Sequence, residues 1–219
     1  MAYILNIETA TKNCSVAVAN DGQVLTLREL ATDGYAHAEK LHVFIDDALK
    51  AAGIQYRDLS AVAVSKGPGS YTGLRIGVSA AKGFCMALGI PLIAIDTLQL
   101  LASQIKVSEG VIVPMLDARR MEVYSAVYNL QYERQREVKA EIITEDSLGE
   151  IGGKVHIVGD CQPKIKTALN SEKFVYHDGI VYPSANEMAA ISYNKFVSQS
   201  FEDLAYFEPF YLKDFIITK

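Results

Sequence analysis

Apolar and polar positions change period several times along this chain, and each change marks an element. Tyr3 to Ile7 alternate as a strand, a polar turn runs from Thr9 to Asn13, and a second apolar run spans Cys14 to Ala19. Asn20-Asp21-Gly22 predicts a tight hairpin, because Asp-Gly tolerates positive φ, and Gln23 to Leu30 return as a third strand. After a loop around Asp33-Gly34 the period lengthens. Ala38, Leu41, Ile45, Ala48, Leu49 and Ala52 recur at steps of three and four, which predicts a helix over 37–52 with one apolar face, stopped by Gly53. A strand at Ala61–Ser65, a glycine-rich turn, a helix over 71–88, a strand at Pro91–Ile95 and a helix from Asp96 or Thr97 to about Ile105 follow.

The pattern then restarts. Val111 to Asp117 read as a strand, Ala118 to Glu122 as a turn, and Val123–Asn129 and Glu133–Ile143 as two further strands. Laid without gaps on 7–20, the stretch 116–129 matches Ala17, Val18 and Asn20 with Ala126, Val127 and Asn129 at a constant offset of 109, and Asp117 falls on Glu8. Val155 to Gly159 supply a later strand ending in glycine, as in the first half. The shared order predicts two related α/β domains, residues 1–106 and 107–219. Short helices are expected near 164–169 and, beginning near Ser184, over 186–201. The aromatic tail Phe207–Leu212 is expected to dock on a core.

Composition narrows the class. A chain of 219 residues, half apolar and 21% charged, has the make-up of a soluble globular protein. Its net charge of −5 argues against a free-standing nucleic-acid binder, and Arg134, Arg136 and Lys139 read as a solvated strand face. Three cysteines, Cys14, Cys85 and Cys161, lie far apart and form neither a disulfide framework nor a zinc motif, which fits a reducing, cytoplasmic setting. The apolar window from Ile76 to Ile95 contains Lys82 and is broken by Gly89-Ile90-Pro91, so helix, turn and strand is the expected reading.

The stretch Ser65-Lys66-Gly67-Pro68-Gly69-Ser70-Tyr71-Thr72-Gly73-Leu74-Arg75-Ile76-Gly77 carries the strongest chemical signal. Strand, glycine turn and helix form an arrangement that binds phosphate through backbone N–H groups. The Walker lysine position is Leu74, however, and the dinucleotide fingerprint lacks its third glycine. The helix that follows is apolar nearly all round and needs cover on two sides. Its small residues Gly73, Gly77, Ala80, Ala81 and Gly83 would admit a second helix, and an arginine at Gly77 or Ala81 is expected to block that pairing. His37 and His42 are five apart, about 140° around a helix, and cannot share a metal. Glu8 and Asp117 end first strands before polar turns, where carboxylates can orient magnesium around a nucleotide or serve as caps.

Ile7-Glu8-Thr9-Ala10-Thr11, Ala36-His37-Ala38-Glu39-Lys40-Leu41, the Gly67–Gly77 block and Pro209-x-Tyr211-Leu212 together resemble the TsaB (YeaZ) family across essentially the whole chain. The resemblance implies an α/β protein of the actin/sugar-kinase/Hsp70-like fold, with two RNase H-like domains. It implies a non-catalytic scaffold in a complex that installs threonylcarbamoyl on the adenosine beside the anticodon of tRNAs reading codons that begin with A. The partners it implies are the transferase TsaD and the ATPase TsaE, with self-association as a homodimer when alone, tRNA met only through the complex, and no membrane. TsaD holds metal through a His-x-x-x-His motif, which this chain lacks.

The partner face expected on that basis comprises His37, Leu41, Ile45, Tyr71, Leu74, Arg75, Gly77, Val78, Ala81 and Phe84. Glu8, Thr9, Thr11 and Asp117 would line a degenerate nucleotide cleft, with no cofactor required and residual ATP or ADP binding left open. An ATP-dependent small-molecule kinase or ATPase of the same fold is the alternative reading, and a metallopeptidase the third.

Overall fold

The computed structural model describes residues 1–32, 36–119 and 121–212; the loop expected around Asp33-Gly34, and Arg120 in the turn after Asp117, lie outside them. β1 (Tyr3–Glu8), β2 (Asn13–Asn20) and β3 (Gln23–Ala31) form an antiparallel meander. α1 (His37–Ala52), β4 (Leu59–Gly67), α2 (Tyr71–Leu88), β5 (Leu92–Asp96) and α3 (Thr97–Ala102) follow. β6 (Val111–Asp117), β7 (Glu122–Tyr128) and β8 (Arg134–Ile142) repeat the meander, and β9 (Val155–Val158), α4 (Gln162–Ile165), β10 (Phe174–Tyr176) and α5 (Ala185–Val197) complete the order. The strands form two sheets, β3-β2-β1-β4-β5 and β10-β9-β6-β7-β8. The second, read backwards, repeats the first, with the fourth strand parallel to the first strand and to the fifth in each.

The duplication expected from the sequence is therefore present, but its register differs. Ile7 pairs with Val16, whereas Leu116 pairs with Tyr124, one residue short of the Ser125 that a constant offset requires. The two hairpins differ by one residue: Ala126 and Val127 lie on the faces that correspond to those of Ala17 and Val18, whereas Leu116 and Asp117 lie on the faces opposite to those of Ile7 and Glu8.

The chain forms two compact units, Met1–Thr97 with Ser184–Tyr211, and Leu98–Pro183 with Leu212. This departs from a division at 106/107. In the first unit α1 and α2 cover one face of the sheet, burying Leu5, Ile7, Val16, Val18, Val62 and Val64 against Leu41, Ile45, Val78 and Ala81. The opposite face of β1 and β2 is covered by α5, whose first amide, Ala185 N, donates to Ser15 Oγ at 3.0 Å. In the second unit Ile165 and Leu169 pack on Val113, Met115, Val155 and Ile157. The other face, with Ile112, Leu116, Ala126 and Val158, is covered by Leu98, Leu101, Ala102 and Ile105. The helix after each sheet's last strand thus belongs to the other unit. Apolar spacing predicts such a helix but not which sheet it serves.

The tail docks as expected. Leu204 and Phe207 pack against the first unit's core, Glu202 N donates to Leu92 O at 2.9 Å, and Phe210 N donates to Lys66 O at 2.7 Å. The three cysteines are free and buried. No described helix is long and apolar enough to cross a membrane.

Candidate functional site

α2 starts where β4 ends, after the glycine-rich turn, and Ser70 caps it by accepting Gly73 N–H at 3.3 Å. Two of the turn's N–H groups are already paired. Gly67 N donates to Thr97 Oγ1 at 3.1 Å, and Ser70 N to Ala10 O at 2.7 Å. A phosphate cradle needs such groups unpaired and convergent; here they fix α2 to its neighbours.

The glycines explain how closely it is fixed. Gly69, Gly73 and Gly77 stand four apart, and a Cβ on any of them would collide with the β1–β2 turn: Ala10 O, Thr9 O and Thr9 Oγ1 respectively. Thr9 Oγ1 donates to Gly73 O at 2.8 Å. The close approach is therefore to the protein's own turn. Gly83, in contrast, would meet nothing within 4 Å.

Burial then sorts the expected partner residues. His37, Leu41, Ile45, Leu74, Gly77, Val78 and Ala81 are buried and point into the first unit. They form the inner face of the two helices and cannot be its contact surface. Tyr71 and Phe84 are half-buried and Arg75 is exposed. The outward stripe of α2 is Thr72, Arg75, Ser79, Gly83, Met86 and Ala87, with Arg75 its single charge and Met86 81% exposed. On α1 the outward residues include Ala38, Glu39, His42 and Val43. His42 lies by Phe84, with ring centroids 6.1 Å apart, and Tyr56 stacks on Phe84 at 5.4 Å.

Arg75 is held in place. Its guanidinium lies 4.1 Å from the centre of the Tyr71 ring, and its Nε donates to Tyr211 Oη at 3.3 Å. Lys82, the charge inside the apolar window, turns aside and binds the tail through Phe207 O at 3.0 Å and Ala205 O at 3.4 Å. The sequence predicts the docked tail but not that Arg75 and Lys82 hold it as a strap, nor the division of α2 into inner and outer faces. The spacing of Gly69, Gly73 and Gly77 by four was a legible signal for one close contact along the helix.

His37 and His42 face apart: His37 is buried with its Nε2–H donating to Thr11 O at 2.7 Å, and His42 is exposed. Burial lowers the pKa of His37 against the raising pull of that carbonyl, so the ring is neutral. Among the described residues no three of His, Cys, Asp and Glu gather as a metal site.

The four cleft residues divide between the units. Glu8, Thr9 and Thr11 are buried in the first. Ala10 N–H donates to Glu8 Oε1 at 2.5 Å, and Asn13 N–H to Thr11 Oγ1 at 3.3 Å. Asp117 belongs to the second unit and is half exposed; it accepts Lys164 Nζ and Arg119 N–H, each at 3.0 Å. By strand alternation Glu8 lies opposite Leu5 and Ile7, whereas Asp117 lies on the Val113–Met115 face, under α4. The two carboxylates are not counterparts, and Asp117 acts as a strand-end cap. In the basic cluster, Arg134 pairs with Glu137 at 3.2 Å and Arg136 with Glu141 at 2.5 Å.

Two sheets of one repeated order, each flanked by helices on both faces, define an α/β protein of the actin/sugar-kinase/Hsp70-like class with two RNase H-like units. The family described as "TsaD: tRNA N6-adenosine threonylcarbamoyltransferase" matches residues 33–212. The chain is 30% identical over 226 residues to the Escherichia coli "tRNA threonylcarbamoyladenosine biosynthesis protein TsaB", covering 99% of this chain and 96% of that protein. It is 34% identical to the Buchnera aphidicola protein of that name, covering 84% and 90%. The chain belongs to the TsaB (YeaZ) family. Its fold matches YeaZ from Pseudomonas aeruginosa with a TM-score of 0.84 at 22% identity, over 97% of this chain and 100% of that one. Component A of the Acidaminococcus fermentans (R)-2-hydroxyglutaryl-CoA dehydratase matches at a TM-score of 0.55 and 11% identity, over 90% and 100%.

Proposed function

We propose that this chain takes part in tRNA threonylcarbamoyladenosine biosynthesis as a non-catalytic scaffold, docking the transferase TsaD through the outward faces of α1 and α2 and helping to recruit the ATPase TsaE. Family membership supports the pathway. One observation supports the mode of action: α2 spans 18 residues, yet its outward stripe carries a single charge, Arg75. A helix face meant for water is normally studded with charges. The same face would serve a second copy when the partner is absent.

The nucleotide-processing alternative draws less support, because the β1–β2 turn spends its Ala10 and Asn13 N–H groups on Glu8 and Thr11. No cofactor is needed for the proposed role. The test is reconstitution of tRNA modification from this chain, TsaD and TsaE, with each omitted in turn. Ser79→Arg and Gly83→Arg should abolish assembly and modification while leaving the fold intact. Gly77→Arg is not a useful probe, because it would drive a side chain into Thr9. Full modification without this chain, or full assembly by both variants, would remove the proposal.

A further inference from the structure

Among the described residues Glu8 is the only Asp or Glu that is buried, and its exposure is 0%. Oε1 accepts the Ala10 N–H, and Oε2 has no hydrogen-bond partner. The surroundings of Glu8 are the Ala10 N–H and the Ser65 hydroxyl, and no lysine, arginine or histidine is among the groups that act on its carboxyl. The titratable groups beside it come from three elements: the Cys14 thiol on β2, Glu29 on β3 beyond Ser15, and Glu187 on α5 beyond Glu29. None brings a positive charge. An isolated carboxylate in such a place costs several kcal/mol, and protonation removes that cost. As the acid, Oε2 can donate to the Ser65 hydroxyl oxygen beside it, which is buried and otherwise without a partner.

The turn that Glu8 holds carries two helices. Ala10, whose N–H rests on Glu8, accepts Ser70 N–H through its carbonyl at 2.7 Å. Thr9 touches Gly73 and Gly77 of α2, and Thr11 O accepts the His37 Nε2–H at the first residue of α1. We propose that Glu8 is a proton-dependent positioning residue: as the neutral acid it seats the β1–β2 turn, and its ionisation loosens that turn beneath the first turns of α1 and α2. Burial lifts its pKa to about 7, against the lowering pull of the Ala10 N–H and the Ser65 hydroxyl, so the transition falls near neutral pH. A pH dependence of docking would follow only if the scaffold reading holds; the proton itself is tested without any partner.

The test uses the full chain with ¹³C-labelled glutamate. The Glu8 carboxyl carbon should titrate near neutral pH, well apart from the exposed glutamates, and its signal should be absent in Glu8→Gln. Amide protection at Ser70 and Gly73, corrected for intrinsic exchange, should fall about tenfold between pH 6 and pH 8 in the wild type. It should not fall in Glu8→Gln, whose amide retains an acceptor for Ala10 and a donor for Ser65. Titration of Glu8 with the ordinary glutamates, or an equal loss of protection in both proteins, overturns the proposal. Should Glu8→Gln fail to fold, the wild-type carboxyl midpoint, compared with the midpoint of the protection loss, decides it.

Discussion

His37 shows how one buried side chain sets a pH limit on the fold. Its Nε2–H satisfies Thr11 O, and burial holds its pKa below the ordinary 6.5. The unfolded ring takes up a proton first as pH falls, so the stability that depends on neutral His37 is complete above about pH 6.5 and is lost as pH drops through the folded pKa. Glu8 acts in the opposite sense: its raised pKa favours the fold below about pH 4.5, and that advantage disappears as pH rises towards 7. His37→Leu should cost about 1–3 kcal/mol at pH 8, because Thr11 O loses its donor. The cost should shrink at pH 5, where the wild type is also weakened. Urea unfolding at the two pH values checks this, and a cost unchanged by pH would show that His37 does not titrate in this range. Neither residue's role was legible in the sequence, where His37 suggested a contact surface and Glu8 a cleft. Burial by an element distant in sequence decided both.

At the scale of elements, α2 was legible in its bounds and apolar content but not in its faces. Leu74, Val78, Ala81 and Cys85 turn inward, and Ser79, Gly83 and Met86 turn outward. The sequence offers small residues on both sides, so composition cannot say which glycines touch something. Coordinates separate them, and substitutions should do the same. Gly77→Ala gains about 1 kcal/mol of helix propensity but overpacks against Thr9 at about 1–3 kcal/mol, with net destabilisation expected. Gly83→Ala meets open space and should stabilise the protein by about 0.5–1 kcal/mol. Denaturant midpoints should move in opposite directions; movement in the same direction would contradict the assignment of faces.

At the scale of the whole molecule, the repeat was legible because strand and turn chemistry is local: hairpins, strand-end glycines and alternation survive in both halves. The gapless match failed in the first strand of the repeat, since a one-residue difference in the hairpin puts Leu116 and Asp117 on the faces opposite to Ile7 and Glu8 while Ala126 and Val127 keep the faces of Ala17 and Val18. The division at 106/107 failed for another reason. α5 and the strap lie at the end of the chain but complete the first unit, held by Ser184 Oγ on Glu29 at 2.7 Å, Ala185 N on Ser15 and Phe210 N on Lys66. A chain ending at Pro183 should therefore lose hydrogen-exchange protection in β1–β5 before it loses any in β6–β10. Equal loss in both sheets would mean that α5 contributes no specific support to the first.

The same exchange of helices sets an order of events during synthesis. Translation adds about 5–20 residues per second and domains commonly fold as they emerge. Here the first sheet is made early, but the helix and strap that cover its second face come only with residues 184–211. The nascent protein must therefore hold an unfinished first unit until residues 184–211 leave the ribosome. In that interval the uncovered face of β1 and β2 is the surface most in need of a chaperone.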